Sequence, residues 1–176
     1  MLQDTIHALL RLIHIVAAVG WVGFGMFLLL FVNQAYNRMD RAKGRQFVAN
    51  LFRYSKVDVA MPLTSITTTL AGILMYIYIY AQDGMDGAQI IYLSKAGSYM
   101  LALGALLGIA AFGHGAGALG PRTKRYLELA NAAGDNPSEE QAAQMDAQYA
   151  DLASHSRISV TLMVLALILM ASARYA

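Results

Sequence analysis

Residues 6–31 read IHALLRLIHIVAAVGWVGFGMFLLLF, an apolar stretch that carries two histidines and one arginine. Its length predicts a membrane-spanning helix, because about 20 residues rising 1.5 Å each cross the hydrocarbon core of a bilayer. Ionisable side chains are costly in such a helix and usually face the interior of a bundle. His7, Arg11 and His14 are therefore the first candidates for a functional site.

The composition places the whole chain in the same class. Of the 176 residues, 57% are hydrophobic and only 14% are charged, against about 25% charged in soluble domains. The length suits one domain. The absence of cysteine excludes disulfides, thiolate metal sites and iron–sulfur clusters. Asp4 and the lack of a basic leading segment argue against a cleavable signal peptide. Nothing indicates a nucleic-acid partner.

Four spans are predicted, at about residues 6–32, 57–81, 96–118 and 156–173. Basic residues are unequally divided between the two ends of these spans, with ten on the side of the first and third loops and three on the other. Because cytoplasmic loops carry the excess of Lys and Arg, both termini are expected outside, in an N-out, C-out arrangement. We therefore predict an all-α, four-helix bundle in a bacterial-type inner (plasma) membrane, with the lipid bilayer as its first partner.

The first loop contains a short amphipathic pattern around residues 42–54. Its apolar side chains are Phe47, Val48, Leu51 and Phe52, and basic residues surround them. A basic amphipathic helix suits an anionic membrane surface, although a solvated connector would show the same charges.

The third loop, about residues 120–154, predicts a helical hairpin on the cytoplasmic side. The turn is expected at residues 134–138, and Ser138 with Gln141 has the spacing of a capping box. The second half has only a weak apolar face, made by Met145, Tyr149 and Leu152. The hairpin is either an element that docks a partner or only an extension of the spans.

Spans two and three each show one distinctive face. In span two a polar stripe is expected to face the bundle interior, where hydroxyls can bond across helices, and it consists of Asp58, Pro62, Ser65, Thr69, Gly72 and Tyr76. In span three a smooth face predicts either close helix packing or room for the edge of a macrocycle, and it consists of Gly97, Gly104, Gly108, Ala111 and Gly115.

The outer half of the bundle is the main candidate site. One face of span one carries two imidazoles, small residues and a tryptophan, namely His7, His14, Ala17, Ala18, Trp21 and Gly25. Arg11 lies one turn from each histidine, and Lys95 at the outer mouth of span three could reach the same layer. We expect b-type haem here, with His14 as axial ligand, Lys95 or His7 as the second ligand, and Arg11 at the propionates.

Two alternatives to haem remain open for these histidines. They could only hydrogen-bond neighbouring helices, or they could bind copper. Ten methionines are compatible with copper, because thioethers suit Cu(I), but they are scattered along the chain. A second pair, His114 and His155, lies at the cytoplasmic ends of adjacent spans and is a possible second haem site.

The segments LIHIVAAVGWVGFGMF (12–27) and YLSKAGSYMLALGALL (92–107) resemble a superfamily of four-span membrane proteins that includes the CopD-type copper resistance proteins and the HemJ-type protoporphyrinogen oxidases. The shared pattern is a histidine, small residues, tryptophan and glycine, followed in the third helix by a lysine. In the HemJ type this histidine and lysine are implicated in haem binding, so the resemblance implies the same role for His14 and Lys95.

The functional expectation is a membrane-embedded haem protein that transfers electrons or oxidises a quinol-like or porphyrin substrate. The alternatives are a non-enzymatic subunit of a larger membrane complex, a homo-oligomer among the possible assemblies, and a copper-handling membrane protein. The pattern of residues assigns no catalytic side chain. Trp21 and Tyr76 are expected to line the cofactor site, because each lies on the inward face of its span.

Overall fold

The computed structural model describes residues 2–83, 95–134 and 136–176, and every regular element in these ranges is helical. The helices are α1 (Leu2–Phe27), α2 (Asn33–Arg38), α3 (Arg41–Tyr54), α4 (Val57–Asp83), α5 (Lys95–His114), α6 (Gly120–Ala133) and α7 (Glu139–Ser172). Leu28–Val32 and Gly115–Leu119 are π-helical and join α1 to α2 and α5 to α6, and Ala173–Tyr175 is a 3₁₀ turn. Four helices in the described ranges are long and apolar enough to cross a membrane.

The four long helices form two antiparallel pairs. α1 packs along α4 and α5 packs along α7, whereas the contacts between the pairs are much fewer. The two pairs meet at Gly25 of α1 and Met163 of α7. They are so close here that a Cβ added to Gly25 would lie 2.7 Å from Cε of Met163. Here Trp21 packs with Ala111, Val160 and Met163 in what we name the membrane cluster. Both chain ends lie on one side of the bundle, the terminal side, and α3 and the hairpin lie on the opposite loop side.

Most of the apolar surface of the spans is not covered by the chain itself. In the most apolar 18-residue windows, between 17% and 28% of the residues are buried. Val19 is 68% exposed and Leu106 is 64% exposed, although both lie in the middle of a span. An exposed apolar surface of this extent is compatible with a multi-pass membrane protein.

On the loop side, α3 packs onto the hairpin, and we name these elements together the cap. Their buried side chains form a second core, the cap cluster. Its buried members are Val32, Tyr36, Val48, Ala49, Phe52, Tyr126, Ala130, Met145, Tyr149 and Leu152. The amphipathic helix predicted in the first loop is present, but the proposal that its apolar face lies on a membrane surface is wrong. That face is buried against the hairpin, because the apolar residues of both segments complement each other and only Phe47 remains exposed.

Polar side chains connect the parts of the cap. The Tyr36 hydroxyl donates to Oδ1 of Asp146 at 2.6 Å, and Nη1 of Arg45 donates to Oδ2 of the same carboxylate at 2.9 Å. Burial raises the pKa of Tyr149 to about 12 and also raises the pKa of Tyr126. These phenols are therefore neutral near pH 7, as tight packing in an apolar cluster requires.

The hairpin has the predicted turn, and its two helices continue spans three and four without a break. α6 ends at Ala133, and Gly134 follows with a φ of 61°, a conformation that glycine adopts without steric cost. α7 begins at Glu139 with the predicted capping box, in which Ser138 Oγ accepts from the Gln141 amide and the Gln141 side chain accepts from the Ser138 amide. The weak apolar face of the hairpin is buried in the cap cluster.

We expect Ser138→Ala to lower the free energy of unfolding of the cap by about 1 kcal/mol, because the first turn of α7 loses an acceptor for its free amides. Hydrogen exchange at the first turn of α7 measures the effect. Ser154→Ala is the matched control, since Ser154 is an interior helical residue whose hydroxyl only donates back to the Asp151 carbonyl. Equal protection in both variants would contradict the capping role.

The polar stripe of α4 is only partly placed as predicted. Ser65 is buried and Thr69, Gly72 and Tyr76 are half-buried, but Asp58 and Pro62 are exposed. The hydroxyl of Ser65, which was predicted to bond across helices, donates within α4 instead. Three hydroxyls donate to carbonyls of α4 itself, from Thr64 to Ala60, from Ser65 to Pro62 and from Thr68 to Thr64. Such local bonds satisfy a hydroxyl in an apolar environment without a second helix.

Candidate functional site

His14 of α1 is held by the backbone of α4. Its Nδ1 lies 2.8 Å from the Thr68 carbonyl oxygen. A carbonyl can only accept, so this bond requires the proton on Nδ1, and the neutral ring then has its lone pair on Nε2. Within the described ranges Nε2 of His14 has no hydrogen-bond partner, and this atom is not fully buried. The nitrogen is therefore available to a ligand.

A glycine makes this approach possible. A Cβ added to Gly72 would lie 3.0 Å from Cε1 and 3.1 Å from Nδ1 of His14. Any larger residue would push the imidazole away from α4 and from the Thr68 carbonyl. Gly72 was predicted on the inward face of its span, but its role in seating His14 depends on how α1 and α4 align.

The other residues predicted for the outer site are distributed along the bundle. His7 stacks on Tyr78 with ring centroids 6.2 Å apart. It lies two turns, roughly 10 Å along α1, from His14. Arg11 and Lys95 are both exposed, and no recorded contact joins Lys95 to His14. Residues 84–94, which precede Lys95, lie outside the described ranges.

Trp21 and Tyr76 have different environments. Trp21 is buried in the membrane cluster, against α5 and α7. Tyr76 is half-buried on α4. Trp21 therefore lies two turns closer to the loop side than His14, where it joins the two helix pairs. The inward face predicted for span one is confirmed, since Ala17, Trp21 and Gly25 are all buried.

The environment of His14 suits an axial haem ligand, because a ring with one nitrogen hydrogen-bonded to a carbonyl presents its other nitrogen to a metal. An apolar groove of about 400 Å³ lies beside this region between α1 and α4, open to the surroundings and lined by Leu12, Ile13, Val16, Ala17, Leu63, Thr64 and Thr67. His14 does not line it. The structure thus provides one suitable ligand and leaves the second ligand unassigned.

The glycine face of α5 combines packed and open positions. A Cβ added to Gly104 would lie 2.8 Å from Cγ of Met170 and 3.1 Å from the Ala166 carbonyl oxygen, so this position packs closely on α7. Gly108 and Gly115 have no described heavy atom within 4 Å of an added Cβ. Close packing is confirmed at Gly104, and room for a macrocycle edge stays a prediction.

A second cluster of ionisable groups joins α5, α6 and α7 on the loop side. Nδ1 of His114 lies 2.7 Å from Ser159 Oγ, and Nε2 of His114 lies 3.1 Å from Nδ1 of His155. Nε2 of His155 lies 3.7 Å from Oδ1 of Asp151, whose Oδ2 accepts from Nε of Arg122 at 2.7 Å. We name this row of five side chains the histidine chain.

The sequence contains a signal for the histidine chain that was not among the predicted features. Asp151, His155 and Ser159 recur every four residues, so they lie on one face of a helix. The approach of His114 brings the two predicted histidines together, but their facing nitrogens are in hydrogen-bond contact. A second haem at this pair stays a prediction, since an iron between the two nitrogens would need them to separate.

The histidine chain resembles a nucleophile–base arrangement only in part. Ser159 and His114 are within hydrogen-bond distance, but Ser159 is 3% exposed and lies next to the membrane cluster. A nucleophile needs access to its substrate. The geometry therefore favours proton exchange between the side chains over covalent catalysis.

No protein-family model matches the chain, and the searches of curated proteins and of solved structures found no significant match. The resemblance to the CopD and HemJ types therefore stays a prediction. In the part of the chain that the structure describes, no three His, Cys, Asp or Glu side chains are grouped closely enough to hold a metal ion. Functional inference depends on the two histidine environments.

Proposed function

We propose that this chain is a membrane-embedded b-type haem protein with His14 as an axial ligand. The observation that carries the proposal is the bond from His14 Nδ1 to the Thr68 carbonyl. Ligating histidines almost always donate their second ring N–H to such an acceptor, which orients the ring and increases the basicity of the ligating nitrogen. The surrounding α1 and α4 surfaces are apolar, as a haem site in a membrane requires.

The remaining assignments of the proposal follow from position along the spans. Lys95 or His7 is the second axial ligand, Arg11 pairs with the propionates near the terminal side, and Tyr76 and Trp21 border the site. A bound haem would supply one-electron redox chemistry, so the proposed activity is electron transfer or oxidation of a quinol-like or porphyrin substrate. The chain would lie in a bacterial-type inner membrane with both termini outside, as its basic loops suggest.

His14→Ala is expected to remove most of the bound haem. Gly72→Val is expected to have the same effect, because the valine side chain would displace the His14 ring. The measurement is an oxidised and dithionite-reduced visible spectrum of the purified protein, with a pyridine haemochrome assay for stoichiometry. Gly23→Val is the matched control, since an added Cβ at Gly23 meets no described atom within 4 Å.

A full haem complement in His14→Ala protein would remove the ligand assignment. Wild-type protein that stays colourless after haem supplementation would remove the proposed function itself. His7→Gln and Lys95→Gln identify the second ligand, because the variant that lacks it should keep haem and change from a low-spin to a high-spin spectrum.

A second candidate is a subunit of a larger membrane assembly or a homo-oligomer. The observation that favours it is the large apolar surface of the spans, together with the few contacts between the two helix pairs. Gentle solubilisation followed by mass measurement tests this candidate. A partner at fixed stoichiometry, or a fixed number of copies, would support it, whereas a homogeneous single chain would count against it.

A further inference from the structure

The histidine chain runs from a buried hydroxyl to a solvent-exposed carboxylate. Ser159 is 3% exposed, the His155 side chain is 25% exposed and the Asp151 side chain is 46% exposed. The two imidazoles lie between these ends in direct contact, with ring centroids 5.2 Å apart. Protons can therefore reach the pair from the Asp151 end.

When both imidazoles are neutral, the hydrogen bonds of the histidine chain can run in either of two directions. In one direction Ser159 donates to His114 and His114 donates to His155, whose Nε2–H then faces the Asp151 carboxylate at 3.7 Å. In the other, His155 donates through Nδ1 to His114, and His114 donates through Nδ1 to Ser159. Both directions are possible because a hydroxyl can donate or accept, and each neutral imidazole has one donor and one acceptor nitrogen.

One added proton fits the chain without loss of a bond. In the second direction Nε2 of His155 has no proton, and it faces the Asp151 carboxylate at 3.7 Å. A proton taken up from the solvent on the loop side makes His155 an imidazolium that pairs with the Asp151 carboxylate and donates to His114, while His114 still donates to Ser159. The only net change is one bound proton and one positive charge beside a carboxylate.

A second added proton does not fit. His114 Nε2 and His155 Nδ1 are 3.1 Å apart, and both would then carry a hydrogen. The bond between the rings would be lost, and two positive charges would face each other at short distance. The pair can therefore hold one added proton and not two.

We propose that the His114–His155 pair is a binding site for a single proton, taken up from the loop side beside Asp151 and stabilised by that carboxylate. The proposal does not depend on haem. The charged groups described around the pair include Asp151 on α7, which pairs with His155, and Arg122 on α6, which pairs with Asp151. Towards the terminal side the pair is followed by the membrane cluster, with Met61 and Phe112 packed against it. The bound proton therefore exchanges with one side of the bundle only.

Two variants should move the proton affinity of the pair in opposite directions. Asp151→Asn removes the carboxylate that stabilises the imidazolium, so the uptake midpoint should fall by roughly 0.5–1 pH unit. Arg122→Gln removes a competing cation, so the midpoint should rise. Lys124→Gln and Glu128→Gln on α6 are matched controls with the same changes of charge, because both side chains are well exposed and pair with each other.

The experiment is a pH titration of ¹⁵N-histidine-labelled full-length protein in lipid nanodiscs, followed by nuclear magnetic resonance. The signals are assigned with His114→Gln and His155→Gln. We expect one proton taken up by the pair between pH 8.5 and 4.5, signals of both rings that shift together, and a nitrogen–nitrogen coupling across the bond between them.

Two independent one-proton titrations near the ordinary histidine value of about 6.5 would overturn the proposal. Unchanged midpoints in Asp151→Asn and Arg122→Gln relative to the controls would overturn it as well. A second haem bound by this pair would also overturn it, and a haemochrome ratio of two per chain would reveal that. Failure of the His14 haem proposal leaves this titration unaffected, because protein without haem can be titrated in the same way.

Discussion

Replacement of Tyr126 by alanine is expected to lower the free energy of unfolding of the cap by about 3–5 kcal/mol, the range for removal of a buried aromatic ring. Tyr126 is fully buried. Its ring packs edge-on against Phe52 and lies 5.9 Å from the Tyr149 ring, so its loss leaves a cavity where α3, α6 and α7 meet. The loss should appear in thermal unfolding and in the hydrogen exchange of α3.

Tyr54→Ala is the matched control for this prediction. Tyr54 is the last residue of α3 and is 74% exposed, so its removal should change the free energy of unfolding by less than about 0.5 kcal/mol. Similar losses in the two variants would show that the cap cluster does not hold α3 to the hairpin. The amphipathic helix would then be free to lie on the membrane surface.

Gly104→Val is expected to destabilise the α5–α7 pair by about 1–3 kcal/mol, because overpacked interiors respond with shifted backbones and strained side chains. An added Cβ would meet Met170, which is flexible, and also the Ala166 carbonyl, which is fixed in its helix. α5 must therefore move away from α7. Reversible unfolding in mixed detergent micelles measures the loss, and the midpoint should fall.

Gly108→Val provides the comparison, one turn further along the same helix. The chemical change is the same, but no described atom lies within 4 Å of the added Cβ. Its unfolding midpoint should stay close to that of the wild type. A loss in Gly108→Val alone would reverse the packing assignment. It would also indicate that this position faces a partner molecule.

The two histidine environments are separated by the membrane cluster. His14 contacts α4 towards the terminal side, and the histidine chain lies towards the loop side. Trp21, Ala111, Val160 and Met163 pack between these levels. Because these apolar side chains separate the two levels, the proposed haem site and the proposed proton site can be tested independently.

Local sequence patterns were sufficient for several features. The four long apolar helices follow from the lengths of the apolar runs, because a backbone in an apolar environment can satisfy its own hydrogen bonds only within helices or closed barrels. The hairpin turn and the start of α7 follow from Gly134 and Ser138, since helix ends are determined by residues within one turn. The inward face of α1 follows from the helical period.

Contacts between distant segments could not be predicted in the same way. The partner of His14 is a backbone carbonyl of α4, so no side-chain motif identifies it. Asp58 is exposed although it belongs to the predicted inward stripe, because the rotation of α4 is set by its packing against α1. The face of α3 was predicted, but its burial depends on a hairpin about 80 residues later in the chain.

The chain's own sequence thus determined its helices, their ends and the positions of its ionisable groups along those helices, because each depends on neighbours within a few residues. Only the tertiary structure decided that Gly72 seats His14 and that His114, His155 and Asp151 form one chain. The physical reason is that a hydrogen bond between helices requires both axial alignment and rotation, and many weak packing contacts determine these together.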